Sequence, residues 1–332
     1  MDISATLIGL LAYLPFLAVA LLAQWSDRYR TVRWLTYGIV LLFDALIALG
    51  GSLTLLVGRN QELRRLLSSQ TVGGMPLNWD GFGLVAVGTA LLALVFLLPP
   101  VRRGLARLIP IDPHSCLHAT ALALAVMATG LNVAQVPLLG GLDVLAGSPA
   151  PVAFLDLLAS NLPIGLMALV GVGFLVRRTP RETGKRLGLR RFTWREVGLT
   201  VGLALVILTL YYGIDWTWRT LAPENYEMVE ALGEVLYGGV TSTWRAIVVG
   251  IVAGVTEELL FRGALQPRFG LLLTALLFTS AHVQYGFTPA TLEVFGGALL
   301  LGWLRRRTHT GACILLHALY DVAGLLVFPL LP

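Results

Sequence analysis

Ionisable side chains stand inside three apolar segments near the carboxyl end of the chain. In chain order they are Glu257, Glu258 and Arg262, then His282, then His317 and Asp321. In a bilayer each such group costs free energy, so its presence calls for a partner or a function. A carboxylate or an imidazole can take a proton from water, and an imidazole can also stabilise an oxyanion or bind a metal ion. If the three segments pack together, they predict a polar pocket that activates water within the membrane.

The spacing within two of these segments predicts specific pairs. On an α-helix, Glu258 and Arg262 are four residues apart and share a face, so they can form an ion pair. Glu257 is rotated by about 100° from Glu258, which leaves its carboxylate outside that pair. His317 and Asp321 are also four residues apart and share a face. Each pair alone could serve structure only, but their joint occurrence favours chemistry.

The segments that position these residues are predicted to be membrane spans. Of the 332 residues, 56% are hydrophobic and 13% are charged, whereas a typical soluble domain has about 25% charged residues. Apolar runs of about 20 residues, the length that crosses a bilayer, recur along the chain. This composition excludes a soluble globular enzyme, a disordered chain and a disulfide-stapled secreted module.

We therefore predict an all-α, polytopic transmembrane bundle of about ten spans, with the active-site pocket among the C-terminal helices. The predicted spans are about 6–24, 34–57, 81–98, 117–139, 152–176, 197–214, 245–264, 270–286, 289–304 and 311–330. Between spans six and seven, glutamates alternate with apolar residues over 224–236, which predicts an amphipathic helix along the outer surface.

The arginines predict the orientation and the domain organisation. Most of the 24 basic residues fall in one set of alternating loops, which places those loops in the cytoplasm and both termini outside, as in an integral protein of the plasma membrane. Their position between spans also explains the net charge of +5 without a nucleic-acid partner. The long basic stretch at 177–186 predicts a boundary between N-terminal transmembrane helices of unknown role (1–176) and a membrane core (177–332).

Other polar and sulfur-bearing residues are predicted to be structural. Five polar residues within spans two, four and five are expected to form hydrogen bonds between helices: Asp44, Asn132, Gln135, Asp156 and Asn161. Cys116 and Cys313 have no cysteine or histidine neighbours at metal-ligand spacing and are interpreted as small core residues. His309, in a basic loop, is expected to be solvated.

Three short motifs resemble those of a known family. They are E-E-x-x-x-R, F-x-x-x-H and H-x-x-x-N/D, which read here Glu257 to Arg262, Phe278 to His282, and His317 to Asp321. In this order, and inside membrane spans, they resemble the CAAX protease and bacteriocin-processing family of intramembrane proteases, which includes the type II CAAX prenyl endopeptidases. The resemblance covers roughly residues 185–330 and does not extend to the first 176.

The resemblance implies hydrolysis of a peptide bond in a membrane-associated peptide or protein. It implies that Glu257 is the general base and that His282 assists it or binds a metal. Glu258 would be anchored by Arg262. His317 and Asp321 would stabilise an oxyanion or orient the site. All six residues are therefore candidate catalytic residues.

Asp321 departs from the prenyl endopeptidases, which carry asparagine at this position. An ionised aspartate cannot donate a hydrogen bond to an oxyanion. Asp321 is therefore protonated, or orients His317, or favours a metal. The H-E-x-x-H zinc signature is absent. We expect that no cofactor is required; if a metal such as zinc takes part, its ligands are expected to be His282, His317 and Glu257.

Two other functions compete with the protease. A non-catalytic membrane scaffold or regulator could keep the same fold, but the complete set of motif residues counts against it. A transporter or proton relay would string polar residues along a path through the membrane, whereas these residues cluster. The sequence names neither the substrate nor its cleavage site.

Overall fold

The computed structural model describes residues 10–11, 13–66, 71–72, 75–139 and 151–327. Apart from one antiparallel hairpin, β1 (Thr71–Val72) with β2 (Met75–Pro76), the regular structure in these ranges is helical, as the sequence predicts. Before residue 140 the helices are α1 (Leu14–Ser26), α2 (Arg30–Arg59), α3 (Gln61–Leu66), α4 (Trp79–Leu97), α5 (Pro99–Leu105) and α6 (Cys116–Leu139). After residue 150 they are α7 (Phe154–Gly171), α8 (Pro180–Leu187), α9 (Trp194–Leu221), α10 (Pro223–Tyr237), α11 (Thr243–Glu258), α12 (Gln266–Ser280), α13 (Pro289–Arg307) and α14 (Thr310–Leu326).

Each of the ten predicted spans overlaps one of these helices. The first and last spans do so in part, because 1–9 and 328–332 lie outside the described residues. Five helices, α2, α4, α6, α7 and α9, are long and apolar enough to cross a membrane by length and composition. The predicted amphipathic helix is α10, in which Glu224, Glu227, Glu230 and Glu234 are exposed while Leu232 is 1% exposed.

The chain divides into two compact units. The first takes its described residues from Met1–Leu17, Pro149–Phe278 and Leu292–Pro332, and the second from Ala18–Ser148 and Thr279–Thr291. In the second unit, small and flexible side chains from α1, α2, α4 and α6 form one apolar cluster: Val19, Val40, Ala93, Ala123 and Met127. The boundary near residue 177 between two domains stays a prediction.

Two glycines bring α11 and α14 together in the first unit. A Cβ on Gly254 would lie 3.1 Å from the Ile314 carbonyl oxygen and 3.1 Å from the Ala318 nitrogen. A Cβ on Gly250, one turn earlier, would lie 2.8 Å from a methyl group of Val322. Small residues four apart allow this close backbone approach between membrane helices. The contact fixes the register between the glutamates of α11 and the histidine of α14.

We expect that Gly254→Val destabilises the protein by about 1–3 kcal/mol, because the added side chain forces two closely packed backbones apart. The measurement is the thermal midpoint in detergent. Gly202→Val is the matched control, since Gly202 is exposed on α9 and an added Cβ there meets no atom within 4 Å. Equal midpoints for the two variants would contradict the close contact between α11 and α14.

The segment after α11 departs from the predicted spans. Residues Leu259–Leu265 form a π-helical turn, whose backbone bonds run from i to i+5, and α12 follows without a loop. The predicted spans 245–264 and 270–286 leave a loop between them that contains Arg268, and this prediction is wrong. The chain bends instead at Gly270, whose φ of 74° and ψ of 177° lie outside the range that side chains favour.

The prediction that His282 lies within a helical span is also wrong. Helix α12 has 15 residues and rises about 22 Å, which is shorter than the hydrocarbon core of a bilayer. It ends at Ser280, and His282 follows in a turn that leads into the 3₁₀ helix Val283–Tyr285.

The structural roles predicted for Cys116, Cys313 and Asn161 are confirmed, whereas the prediction for His309 is wrong. Cys116 and Cys313 are buried free cysteines, and Thr256 donates to the Asn161 side chain across α11 and α7 at 2.8 Å. His309 is only 2% exposed, because it packs edge-on against the ring of Phe192 at 4.7 Å. Burial, together with neighbouring arginines, lowers the pKa of His309. A basic neighbourhood in the sequence therefore does not imply a solvated histidine here.

Candidate active site

A buried ion pair joins the end of α11 to the π-helical turn. Arg262 Nη1 donates to Glu258 Oε1 at 2.8 Å, and the two residues are 1% and 0% exposed. Arg262 Nη2 donates to the Ala298 carbonyl of α13 at 3.2 Å, and its guanidinium carbon lies 4.4 Å from the centre of the Phe278 ring. The pairing expected from the spacing is therefore present, and the guanidinium also ties α11, α12 and α13 together.

His317 of α14 lies between two carboxylates. Its Nδ1 is 2.8 Å from Glu258 Oε1, the same oxygen that accepts from Arg262. Its Nε2 is 3.4 Å from Asp321 Oδ2, one turn along α14. A neutral imidazole can donate to only one of these carboxylates, whereas an imidazolium can donate to both. Of the three roles open to Asp321, orienting His317 is the one that this contact supports.

Glu258 keeps one acceptor oxygen for a further partner. Its Oε1 is shared by Arg262 and His317, while its buried Oε2 has no hydrogen-bond partner within the described residues. An unpaired buried carboxylate oxygen is costly, so a water molecule or a substrate N–H group would be favoured there. The cluster can therefore hold a polar ligand without breaking its ion pair.

Aromatic rings enclose the imidazole. Tyr320 stacks on His317 with ring centres 4.8 Å apart and planes at 17°, and Phe278 approaches it edge-on at 6.0 Å. The sequence analysis did not assign a site role to Tyr320. Its position three residues after His317, on the same helix face, is the sequence signal that identifies it. These rings restrict the rotation of His317 and exclude water from its faces.

The other two candidates are Glu257 and His282. Glu257 is half-buried and adjoins Glu258 in the last turn of α11. His282 belongs to the second unit, where its ring stacks on Tyr285 with centres 6.5 Å apart and planes at 10°. The first unit thus brings together Glu258, Arg262, His317 and Asp321, with Glu257 next to them in the chain.

His317, one of the three metal ligands expected from the sequence, has other partners in the structure. No group of three or more His, Cys, Asp or Glu side chains in these ranges is arranged to hold a metal ion. A histidine ligand gives one ring nitrogen to the metal and the other to a supporting carboxylate. Both ring nitrogens of His317 face carboxylates instead, from Glu258 and Asp321.

Comparison with known protein families gives a match that covers this cluster. Residues 239–323 match the family described as type II CAAX prenyl endopeptidase Rce1-like. The matched range contains all six candidate residues, from Glu257 to Asp321. Neither the curated proteins nor the solved structures that were searched gave a match.

Proposed function

We propose that the chain is an intramembrane endopeptidase of the CAAX protease type, since residues 239–323 match the Rce1-like family and five described helices are long and apolar enough to cross a membrane. Its substrate is a membrane-associated peptide or protein. The observation that carries the proposal is the buried cluster in which Glu258 pairs with both Arg262 and His317. Such a cluster beside a second carboxylate supports water activation more than it supports a passive scaffold.

In the proposed reaction, Glu257 takes a proton from water and the resulting hydroxide adds to the carbonyl carbon of the peptide bond. The tetrahedral intermediate then collapses, the C–N bond breaks, and Glu257 returns the proton to the leaving amine. The products are a carboxylate and an amine. His282, the last residue of the F-x-x-x-H motif, assists the attacking water; this role comes from the resemblance to the family.

The buried cluster positions these groups in the proposed reaction. Arg262 fixes Glu258, and Asp321 fixes His317, so that neither helix α11 nor α14 can rotate its polar face away. The rings of Tyr320 and Phe278 reduce the access of water to His317. A pre-organised, partly dry site strengthens each electrostatic interaction with the reacting peptide.

Cleavage of a diverse peptide library tests the proposal. The full-length protein is purified in detergent, half of the library carries a lipid anchor, and products are identified by mass spectrometry. We expect new peptide ends with the wild type, enriched among the anchored peptides, and none with Glu257→Gln. Identical products from both proteins, or no products from the wild type, would favour the scaffold. The orientation with both termini outside the plasma membrane remains a prediction from the arginines.

We also propose that the reaction needs no metal, because both ring nitrogens of His317 face carboxylates. We expect the cleavage rate to stay within about twofold after treatment with 1,10-phenanthroline and dialysis, a much smaller change than the loss of a metal-activated water would cause. The metal content of the dialysed protein, measured by mass spectrometry, is the control. Loss of cleavage that added zinc restores would contradict this part of the proposal.

A further inference from the structure

Four arginines from separate elements of the first unit meet beside the π-helical turn. They are Arg178 before α8, Arg186 in α8, Arg268 in α12 and Arg305 in α13. Arg178, Arg186 and Arg305 are half-buried, and Arg268 is exposed. Burial first, and then the charges of Arg268, Arg178 and Arg305, lower the pKa of Arg186 to about 10. The charges of the other three arginines therefore act on Arg186.

Backbone carbonyls hold three of these arginines in place. Arg186 donates to the carbonyls of Gly263 at 2.9 Å and Ala264 at 3.1 Å, and Arg305 donates to that of Arg262 at 3.3 Å. Arg178 donates to the carbonyl of Val172.

The acceptor of Arg178 belongs to the same packed region as the acceptors of Arg186. Val172, Leu187 and Ala264 form one buried apolar cluster, so the arginine that bonds to Val172 meets the helix that carries Arg186. The cluster of arginines is thus built into the fold and is not a set of mobile surface chains.

No carboxylate in the described residues pairs with Arg178, Arg186 or Arg305. Their hydrogen bonds run to carbonyl oxygens, which carry no formal charge. Glu182 acts electrostatically on Arg178, but its carboxylate accepts from the backbone N–H and the hydroxyl of Thr179 at 2.8 Å in a capping box that begins α8. The positive charges of Arg178, Arg186 and Arg305 are therefore not paired with a carboxylate within the described residues.

Three exposed apolar side chains lie near Arg178 and Arg186 in the chain. Leu175, whose N–H donates to the Arg178 carbonyl, is 72% exposed, and Leu189, just after α8, is 40% exposed. Trp194 at the start of α9 is 90% exposed. Tryptophan beside exposed leucine and arginine is the composition of a membrane interface, where lipid phosphates lie. Guanidinium groups bind phosphate oxygens with two parallel hydrogen bonds.

We propose that Arg178, Arg186, Arg268 and Arg305 form a site for the phosphate of an anionic phospholipid headgroup. The leucines and Trp194 would contact the acyl chains and the glycerol region of the same lipid. The bound phosphate would lie next to the carbonyls of Arg262, Gly263 and Ala264, in the turn that carries the ion pair of the candidate active site. The proposal requires only a membrane protein and does not depend on protease activity.

Native mass spectrometry of the full-length protein in detergent tests the site. Phosphatidylglycerol, phosphatidylcholine, inorganic phosphate and a polyglutamate peptide are titrated separately at the same concentrations. We expect phosphatidylglycerol to bind at least about tenfold more tightly than phosphatidylcholine. Equal binding of the two lipids would overturn the proposal. Tighter binding of inorganic phosphate or of polyglutamate would assign the cluster to a free anion or to an acidic protein instead.

Two double variants with the same change of charge locate the site. Arg178→Gln with Arg268→Gln is expected to weaken phosphatidylglycerol binding by about 30-fold, because the loss of each arginine weakens binding by roughly tenfold or less. Arg306→Gln with Arg307→Gln, at exposed positions beside Arg305, is the matched control and should change binding by less than about threefold, since these side chains lie outside the cluster. Equal losses would indicate a diffuse surface attraction and would overturn the localised site. The wild-type comparison of the two lipids stands even if a variant does not fold.

Discussion

Glu257→Gln is expected to lower kcat/KM for peptide cleavage by about 100-fold to 10,000-fold, the range that a general base contributes. The amide has nearly the same shape as the carboxylate but cannot take a proton from water. Because Glu257 lies outside the Glu258–Arg262 ion pair, the thermal midpoint should stay close to that of the wild type. The measurement is steady-state cleavage of a peptide found in the library, with the midpoint recorded for each protein.

Glu227→Gln is the matched control for this variant. Glu227 is an exposed glutamate of α10, and the substitution makes the same chemical change away from the candidate site. We expect its kcat/KM to remain within about twofold of the wild type, as is usual for a surface substitution of small energetic effect. If both variants keep full activity, Glu257 is not the base, and the base must be sought among the other candidates.

Arg262→Met is expected to destabilise the protein by about 3–5 kcal/mol, the cost of leaving a buried charge without its partner. Glu258 is 0% exposed, so no solvent replaces the lost guanidinium. The substitution also removes the hydrogen bond to the Ala298 carbonyl and the contact with the Phe278 ring. Unfolding in detergent, followed by far-ultraviolet circular dichroism, gives the change in stability.

A double variant separates the charge from the packing. Glu258→Gln combined with Arg262→Met removes both charges, and we expect it to recover part of the stability that Arg262→Met loses. It should not recover cleavage, since the carboxylate that holds His317 is gone. A double variant less stable than Arg262→Met alone would show that packing around Arg262, rather than the ion pair, carries the effect.

Contacts within one helix were predictable from spacing, because the α-helical repeat places residues i and i+4 together. The Glu258–Arg262 and His317–Asp321 contacts are of this kind. The contact between His317 and Glu258 joins two helices, and no spacing rule gives it. It depends on the close approach of Gly254 to Ala318, which the sequence records only as two glycines four residues apart.

The π-helical turn could not be predicted from its own residues. Leu259–Leu265 read as part of an apolar helix, and the donors for three of its carbonyls come from Arg186 and Arg305, far away in the chain. The position of His282 was mispredicted for a related reason. Apolar residues continue past Ser280, and hydropathy does not mark the turn at which α12 ends.

The bonds of the π-helical turn also have a consequence for biosynthesis. When this turn is synthesised, Arg186 has already been made, whereas Ala298, Arg305 and His317 have not. The hydrogen-bond partners of the π-helical turn and of the Glu258 cluster thus come from residues before the turn and from residues after it. Membrane helices insert before they pack, so the reactive arrangement can form only after α13 and α14 have entered the bilayer. If the chain is a protease as proposed, it is therefore expected to remain inactive until α14 has been made and inserted.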